Sequence, residues 1–217
     1  MNIEEYSRNK DGEKYVENNF QLKEFACNDG SDYFKMDTDL YPCLQRFRDY
    51  VETGVYISSA YRNEEYNREV GGANGSYHTL GQAVDIPFDE TFNYLHSPYD
   101  MARFFKTIKM PSIILYDWGI HIDTRPYDNY IKQVSGGYEN IEIGKVYIPL
   151  YRVLKKGVER GEDIGILQFM LQRLGYDVHV TDYYDDATER AVYQYQANHG
   201  LGYDGQVYTE TWNSLIG

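Results

Sequence analysis

The sequence predicts an α+β domain with a small, mostly antiparallel sheet, followed by a small all-α domain of three helices. Two observations lead there. Strand-like and helix-like stretches intersperse through the first part of the chain without regular βαβ units, the pattern of an α+β fold. Beyond residue 150 the chain changes character: Ile164, Leu167, Met170, Leu171 and Leu174 follow the three-four spacing of an amphipathic helix. A length of 217 residues suits two modest domains.

The elements follow in order. Leu40, Leu44, Phe47 and Val51 space a helix across 40–53. A strand is expected at 55–61, a short helix at 63–70 and a strand at 82–88. Ser97 before Pro98 reads as a cap followed by a first-turn proline, opening a helix that runs to about residue 109. Strands follow near 112–117 and 120–125. Gly136-Gly137 opens a linker whose stretch 140–148 alternates enough to suit pairing onto one of the domains. Past it, Gly175 is placed to cap the first C-terminal helix. A second helix at 187–199 puts Ala191, Val192 and Tyr195 on one side, and a third at 209–216 carries Trp212 and Leu215. Three such helices share one small core, near the lower size for independent stability.

The chemistry concentrates in three residues. His78, Asp85 and His121 offer two imidazoles and one carboxylate, and zinc held by three such ligands keeps a fourth position open for hydrolysis. His78 and Asp85 do not share a helix face; their spacing suits a loop residue followed by a strand residue, with Gly81 and Ala83 leaving room for close approach. His121 and Asp123 lie two apart in an apolar, β-branched run, so a strand points both to one face. Asp123 then suits orienting a ligand imidazole.

The company these residues keep is more specific than the triple itself. Four stretches occur in order: Asn19-Phe20-Gln21-Leu22-Lys23-Glu24-Phe25, then Ser59-Ala60-Tyr61-Arg62 with Tyr66-Asn67, then Gly71-Gly72-Ala73-Asn74-Gly75-Ser76-Tyr77-His78 running on to Asp85, and finally His121-Ile122-Asp123-Thr124-Arg125. Together they resemble the M15 family of zinc peptidases, in particular its D-alanyl-D-alanine carboxypeptidase-like branch. The resemblance implies one zinc ion per chain on His78, Asp85 and His121, and a substrate-binding role for Arg62, with Ser76 a second candidate for substrate contact. Members of the wider family carry a base a few residues before the last histidine. Three before it this chain has Trp118, which accepts no proton. Asp117 is the first candidate, since period-two geometry on a regular strand returns it to the metal face, and Asp123 is the alternative. A bulge at Gly119 would upset that count.

The C-terminal segment is similar to the three-helix peptidoglycan-binding module found with many wall hydrolases. The matching residues are the approach to Leu167-Gln168, Leu174-Gly175-Tyr176, Ala191-Val192 with Tyr195-Gln196, and Tyr203-Asp204-Gly205 with Trp212. The chain lacks that module's Gly-Pro turns at Tyr184-Asp185-Asp186-Ala187 and Val207-Tyr208-Thr209-Glu210. The expected division is 1–135 for the peptidase domain, 136–151 for the linker and 152–217 for the wall-binding domain.

Composition narrows the partners. A net charge of −13 argues against nucleic acid, whose binding is largely electrostatic, and bulk charge does not draw the chain to an anionic wall. No apolar run is long enough for a membrane span, and the start Met1-Asn2-Ile3-Glu4 has neither a basic region nor an apolar core for a signal peptide. The expectation is a monomeric enzyme made in the cytoplasm. It would reach bacterial peptidoglycan by holin-type release, as a phage endolysin does, or as part of a virion. Within the family two activities compete, removal of a terminal D-alanine and endopeptidase cleavage of the L-alanyl-D-glutamate type. The reading from another class is a catalytically silent wall-binding or virion protein that retains the peptidase fold.

Overall fold

The computed structural model describes residues 2–134, 137–143 and 153–216. It divides into two compact units, one of Met1–Lys106 with Met110–Ile143, the other of Thr107–Lys109 with Gly144–Gly217. In the first unit the order is β1 (Ile3–Ser7), α1 (Arg8–Asp11), β2 (Tyr15–Val16), β3 (Phe20–Gln21), β4 (Tyr33–Asp37), α2 (Leu40–Val51), α3 (Glu64–Glu69), β5 (Ala83–Pro87), α4 (Pro98–Thr107), β6 (Ser112–Tyr116), β7 (Gly119–Asp123), β8 (Asn129–Val134) and β9 (Gly137–Asn140). A 3-10 helix, Leu22–Phe25, follows β3.

The main sheet has the order β5-β7-β6-β8-β9, antiparallel except where β6 runs parallel to β8. Its register stacks residues in rows across the strands. Asp85 pairs with His121, which pairs with Ile114, which pairs with Ile131. One row behind, Ala83, Asp123, Ser112 and Asn129 align in the same way. Side chains alternate between faces along a strand, so these two rows share one face. The opposite face, with Val84, Ile86, Ile113, Ile120 and Ile122, is buried. An aromatic core contributes Phe47 of α2, whose ring lies within 5.5 Å of Phe92, Phe104 and Phe105. Helix α2 ends where Glu52 turns left-handed at φ 54°. Ser97 caps α4 by accepting from the Asp100 N–H at 3.3 Å.

The expected strand at 55–61 does not form. Its backbone is shared out instead: Ser58 and Ser59 bond Asp85, the Tyr61 N–H goes to Phe25, and the Arg62 N–H goes to the His78 carbonyl. The pairs β1–β4 and β2–β3, and strands β8 and β9, add to the elements that the sequence predicts. Strand β9 comes from the start of the segment expected as linker; residues 135–136 and 144–152 lie outside those described. Cys27 and Cys43 are both buried and no disulfide joins them.

The second unit is all α: α5 (Glu162–Arg173), α6 (Asp186–Asn198) and α7 (Thr209–Ile216), with Leu154 bridging Val207. Ile164, Leu167, Met170, Leu171, Val192, Tyr195 and Trp212 are buried. Two buried glutamines pin its loops. Gln168 donates to Thr181, Thr188 and the Tyr183 carbonyl, and accepts from the Thr181 and Asp182 N–H groups. Gln196 donates to Thr211 and the Gln206 carbonyl and accepts from the Gly205 N–H. Where a Gly-Pro turn is missing, Asp185 caps α6 by accepting from the Thr188 N–H at 2.8 Å.

Candidate metal centre and its cleft

Two of the three expected ligands come from the middle of paired strands. Asp85 of β5 stands directly opposite His121 of β7, so sheet register alone sets their separation. His78 arrives from the loop before β5. That loop turns at Gly81, where φ is +73° and an added Cβ would meet the Lys35 carbonyl oxygen at 2.3 Å, so glycine is required there.

The three side chains converge tightly. His121 Nδ1 lies 2.8 Å from Asp85 Oδ1, His78 Nε2 lies 3.1 Å from Asp85 Oδ2, and the two ring nitrogens are 3.1 Å apart. All three residues are buried. The far ring nitrogens decide what the near ones present. His78 Nδ1 sits 2.6 Å from the Ala60 carbonyl oxygen, which only accepts, so it carries the proton. His121 Nε2 sits 3.1 Å from Asp123 Oδ2 and donates to it. Both near nitrogens then aim lone pairs at each other and at a carboxylate. Acceptors crowded so closely repel unless a cation lies among them. The donor set, two imidazoles and one carboxylate, is what zinc takes with a position to spare.

The electrostatics agree. Burial opposes ionisation of Asp85, yet the two imidazoles outweigh it and hold the carboxyl well below its usual range. Burial lowers the His78 pKa. Burial also works against protonation of His121, but its bonds to Asp123 and Asp85 prevail and push it up to about 9.

Behind the ligands runs a polar chain. Asn129 donates to Ser112 at 3.2 Å, Ser112 to Asp123 at 2.8 Å, and Asp123 receives the Arg125 guanidinium at 2.7 Å and 2.5 Å. Arg125 in turn lies 4.5 Å over the Tyr77 ring. Asp123 is wholly buried and spoken for on every side. Arg125, Ser112 and Asn129 received no role from the sequence. The signal for Ser112 and Asn129 is cross-strand register, which a chain read in one dimension does not display.

A cleft of about 490 Å³ opens over this face. Arg62 lines it, but its Nη2 is bonded to Asp85 at 2.7 Å and its Nε to Ser59 at 2.8 Å. Ser76 lines it from the glycine-rich loop. Asp85 is the one carboxylate among the described lining residues. Asp117 is exposed in the turn between β6 and β7, outside that lining, while its neighbour Trp118 belongs to it. The strand ends at Tyr116 and resumes at Gly119, so the two-residue count back from His121 runs off the strand before reaching 117. Gly119 is no bulge; it pairs in register with Tyr116 and Pro87.

Residues 14–123 match the family model described as peptidase M15, and residues 160–215 match that of a peptidoglycan binding domain. A solved structure of a peptidoglycan-binding protein from Clostridioides difficile, in complex with glutamine hydroxamate, is 34% identical over 30% of this chain, with a TM-score of 0.29. The chain spans 40% of that protein's length. No curated protein matches. The peptidase match takes in just over half of the 217 residues and all three converging side chains, and by it the chain belongs to the peptidase M15 family.

Proposed function

We propose that the protein is a zinc-dependent peptidase that hydrolyses the stem peptides of bacterial peptidoglycan, with residues 152–217 holding it to the wall. The observation that carries this reading is the convergence of three acceptor atoms, each with its far side fixed, in a cleft of about 490 Å³. Zinc, when bound by His78, Asp85 and His121, supplies a Lewis acid for the scissile carbonyl and for the attacking water. The chain's own residues do the rest. Ala60 and Asp123 hold the two imidazoles in the ligating tautomer, and Arg62 aims the Asp85 carboxylate by bonding to its Oδ2. The proton acceptor falls to Asp117: Asp123 is committed to Arg125, Ser112 and His121, whereas Asp117 is exposed in the turn beside Trp118, which lines the cleft. We further propose a role in lysis from inside an infected cell, which favours an endopeptidase, since trimming free termini breaks no cross-link.

A second reading has one observation in its favour. No carboxylate besides Asp85 is among the described lining residues, as expected for a silent wall-binding relative. Mass spectrometry of purified peptidoglycan after incubation, with and without a chelator, separates the two. The expected result is a new peptide terminus that vanishes with the chelator; intact stem peptides in the presence of bound zinc would establish the silent reading. Asp117→Ala is expected to lower kcat by about 10²-fold or more with zinc content unchanged. Unaltered turnover would remove Asp117 from the mechanism.

A further inference from the structure

Along the sheet face, one row beyond Asp85, His121 and Ile114, the character of the cleft changes. Tyr116 closes β6 two residues after Ile114, and Gln133 pairs with Tyr138 across β8 and β9. Both strand pairs project these side chains into the same cleft as the ligands. Trp118 joins them from the hairpin turn, its ring stacked on Tyr116 with centroids 4.9 Å apart and planes 14° apart. The Trp118 residue is 46% exposed and Tyr138 55% exposed, so a flat ring, already backed by another, is offered to whatever enters. None of the four carries a charge.

The charged groups lie elsewhere, and they are taken. The Arg62 guanidinium is bonded to Asp85, and that of Arg125 to Asp123. Every guanidinium among the described lining residues is thus already paired with a carboxylate, an ill-suited receiver for the free terminal carboxylate that a carboxypeptidase must grip.

We propose that Tyr116, Trp118, Gln133 and Tyr138 form a sugar subsite that seats the N-acetylated amino sugar at the root of a stem peptide. This rests on the peptidoglycan reading above and selects, within it, the sugar-proximal bond. A pyranose ring has an apolar C–H face that stacks on Trp118. Its hydroxyl and acetamido rim needs neutral donors and acceptors, which the Gln133 amide and Tyr138 hydroxyl supply. The distance fits as well. Two residues along a strand span about 7 Å, so a sugar on this wall leaves about two extended units of chain before the metal row. The scissile bond then falls just after the first amino acid of the stem.

The test compares two synthetic substrates, a stem peptide with and without its N-acetylmuramoyl group, by kcat/KM. The wild type is expected to prefer the sugar-bearing form by about tenfold, and Trp118→Ala to bring the ratio close to one with zinc content unchanged. No preference in the wild type, or a ratio that survives the substitution, overturns the subsite. A binding measurement keeps it distinct from the peptidase reading. N-acetylmuramoyl-L-alanine is expected to shift the emission of Trp118, the exposed one of two tryptophans, since Trp212 is buried. Tyr138→Ala is expected to weaken that binding. A protein that binds this ligand and cuts neither peptide has lost the peptidase reading and kept the subsite. One that cuts both peptides equally and leaves the emission unmoved has lost the subsite alone.

Discussion

His121 is held between two carboxylates, Asp123 on its Nε2 side and Asp85 on its Nδ1 side, and this decides how the site responds to pH. Against burial, these bonds push its pKa up to about 9, so near neutral pH it holds a proton that a metal ion entering the site would have to displace. His78, lowered by burial, is already neutral there, and Asp85 is already ionised. Zinc affinity is therefore expected to rise about tenfold per pH unit as pH climbs toward the His121 pKa, then to level off. Metal-competition titrations at several pH values check this, and an affinity flat between about pH 6.5 and 8 would contradict it. Asp123→Asn removes the stronger of the two hydrogen-bonding influences and is expected to shift the levelling-off point downward.

At the scale of elements, the β6–β7 hairpin carries the site. Its register puts Asp85, His121 and Ile114 in one row, the support chain in the row behind and the aromatic wall in the row ahead. The hairpin can lie so close to β5 because Gly119 has no side chain: a Cβ there would meet the Ile86 carbonyl oxygen at 2.3 Å and the Pro87 Cα at 2.8 Å. Backbone cannot yield as a side-chain tip can. Gly119→Ala is expected to cost about 2–3 kcal/mol, read as a lower urea midpoint, and to weaken zinc binding because the strands must part. An unchanged midpoint would mean the sheet relaxes freely at that end. The stretch 55–61 belongs to the same account. Its β-branched residues are those of a strand, yet Ala60 gives its carbonyl to the His78 ring and Arg62 its N–H to the His78 backbone, so the segment serves as a brace for the ligand loop.

For the molecule as a whole, a net charge of −13 has to be reconciled with the anionic polymer proposed as its partner. Repulsion of this kind is long-ranged and screened by salt, while stacking and hydrogen bonds in local pockets are not. Binding to insoluble wall material is accordingly expected to hold or strengthen as ionic strength rises from about 0.05 M to about 0.5 M. Sedimentation with purified walls measures it. Binding that collapses with salt would point to a cationic contact in place of neutral recognition. The second unit has the means for such recognition in its surface tyrosines, since Tyr183, Tyr193, Tyr203 and Tyr208 are all at least 45% exposed.

Residue identity by itself marked His78, Asp85 and His121 as candidate ligands, and it determined the helices with regular apolar spacing and the change to an all-α unit in the C-terminal part. Each of these is written locally, in donor chemistry or in a period of 3.6. It also marked Gln168 and Gln196 as motif residues, although their purpose as loop anchors appears only in three dimensions. Tertiary structure alone decided that Arg62 faces the ligand carboxylate, that Asp123 is enclosed by Arg125 and Ser112, and that Asp117 lies in a turn. It alone set Tyr116, Gln133 and Tyr138 over one cleft. For Ser112 beside Asp123 and for Gln133 beside Tyr138 the physical reason is strand pairing, which joins residues far apart in the chain in a register set by the packing of a whole sheet; Arg62 instead reaches Asp85 from a loop held by backbone bonds to the same sheet and to His78.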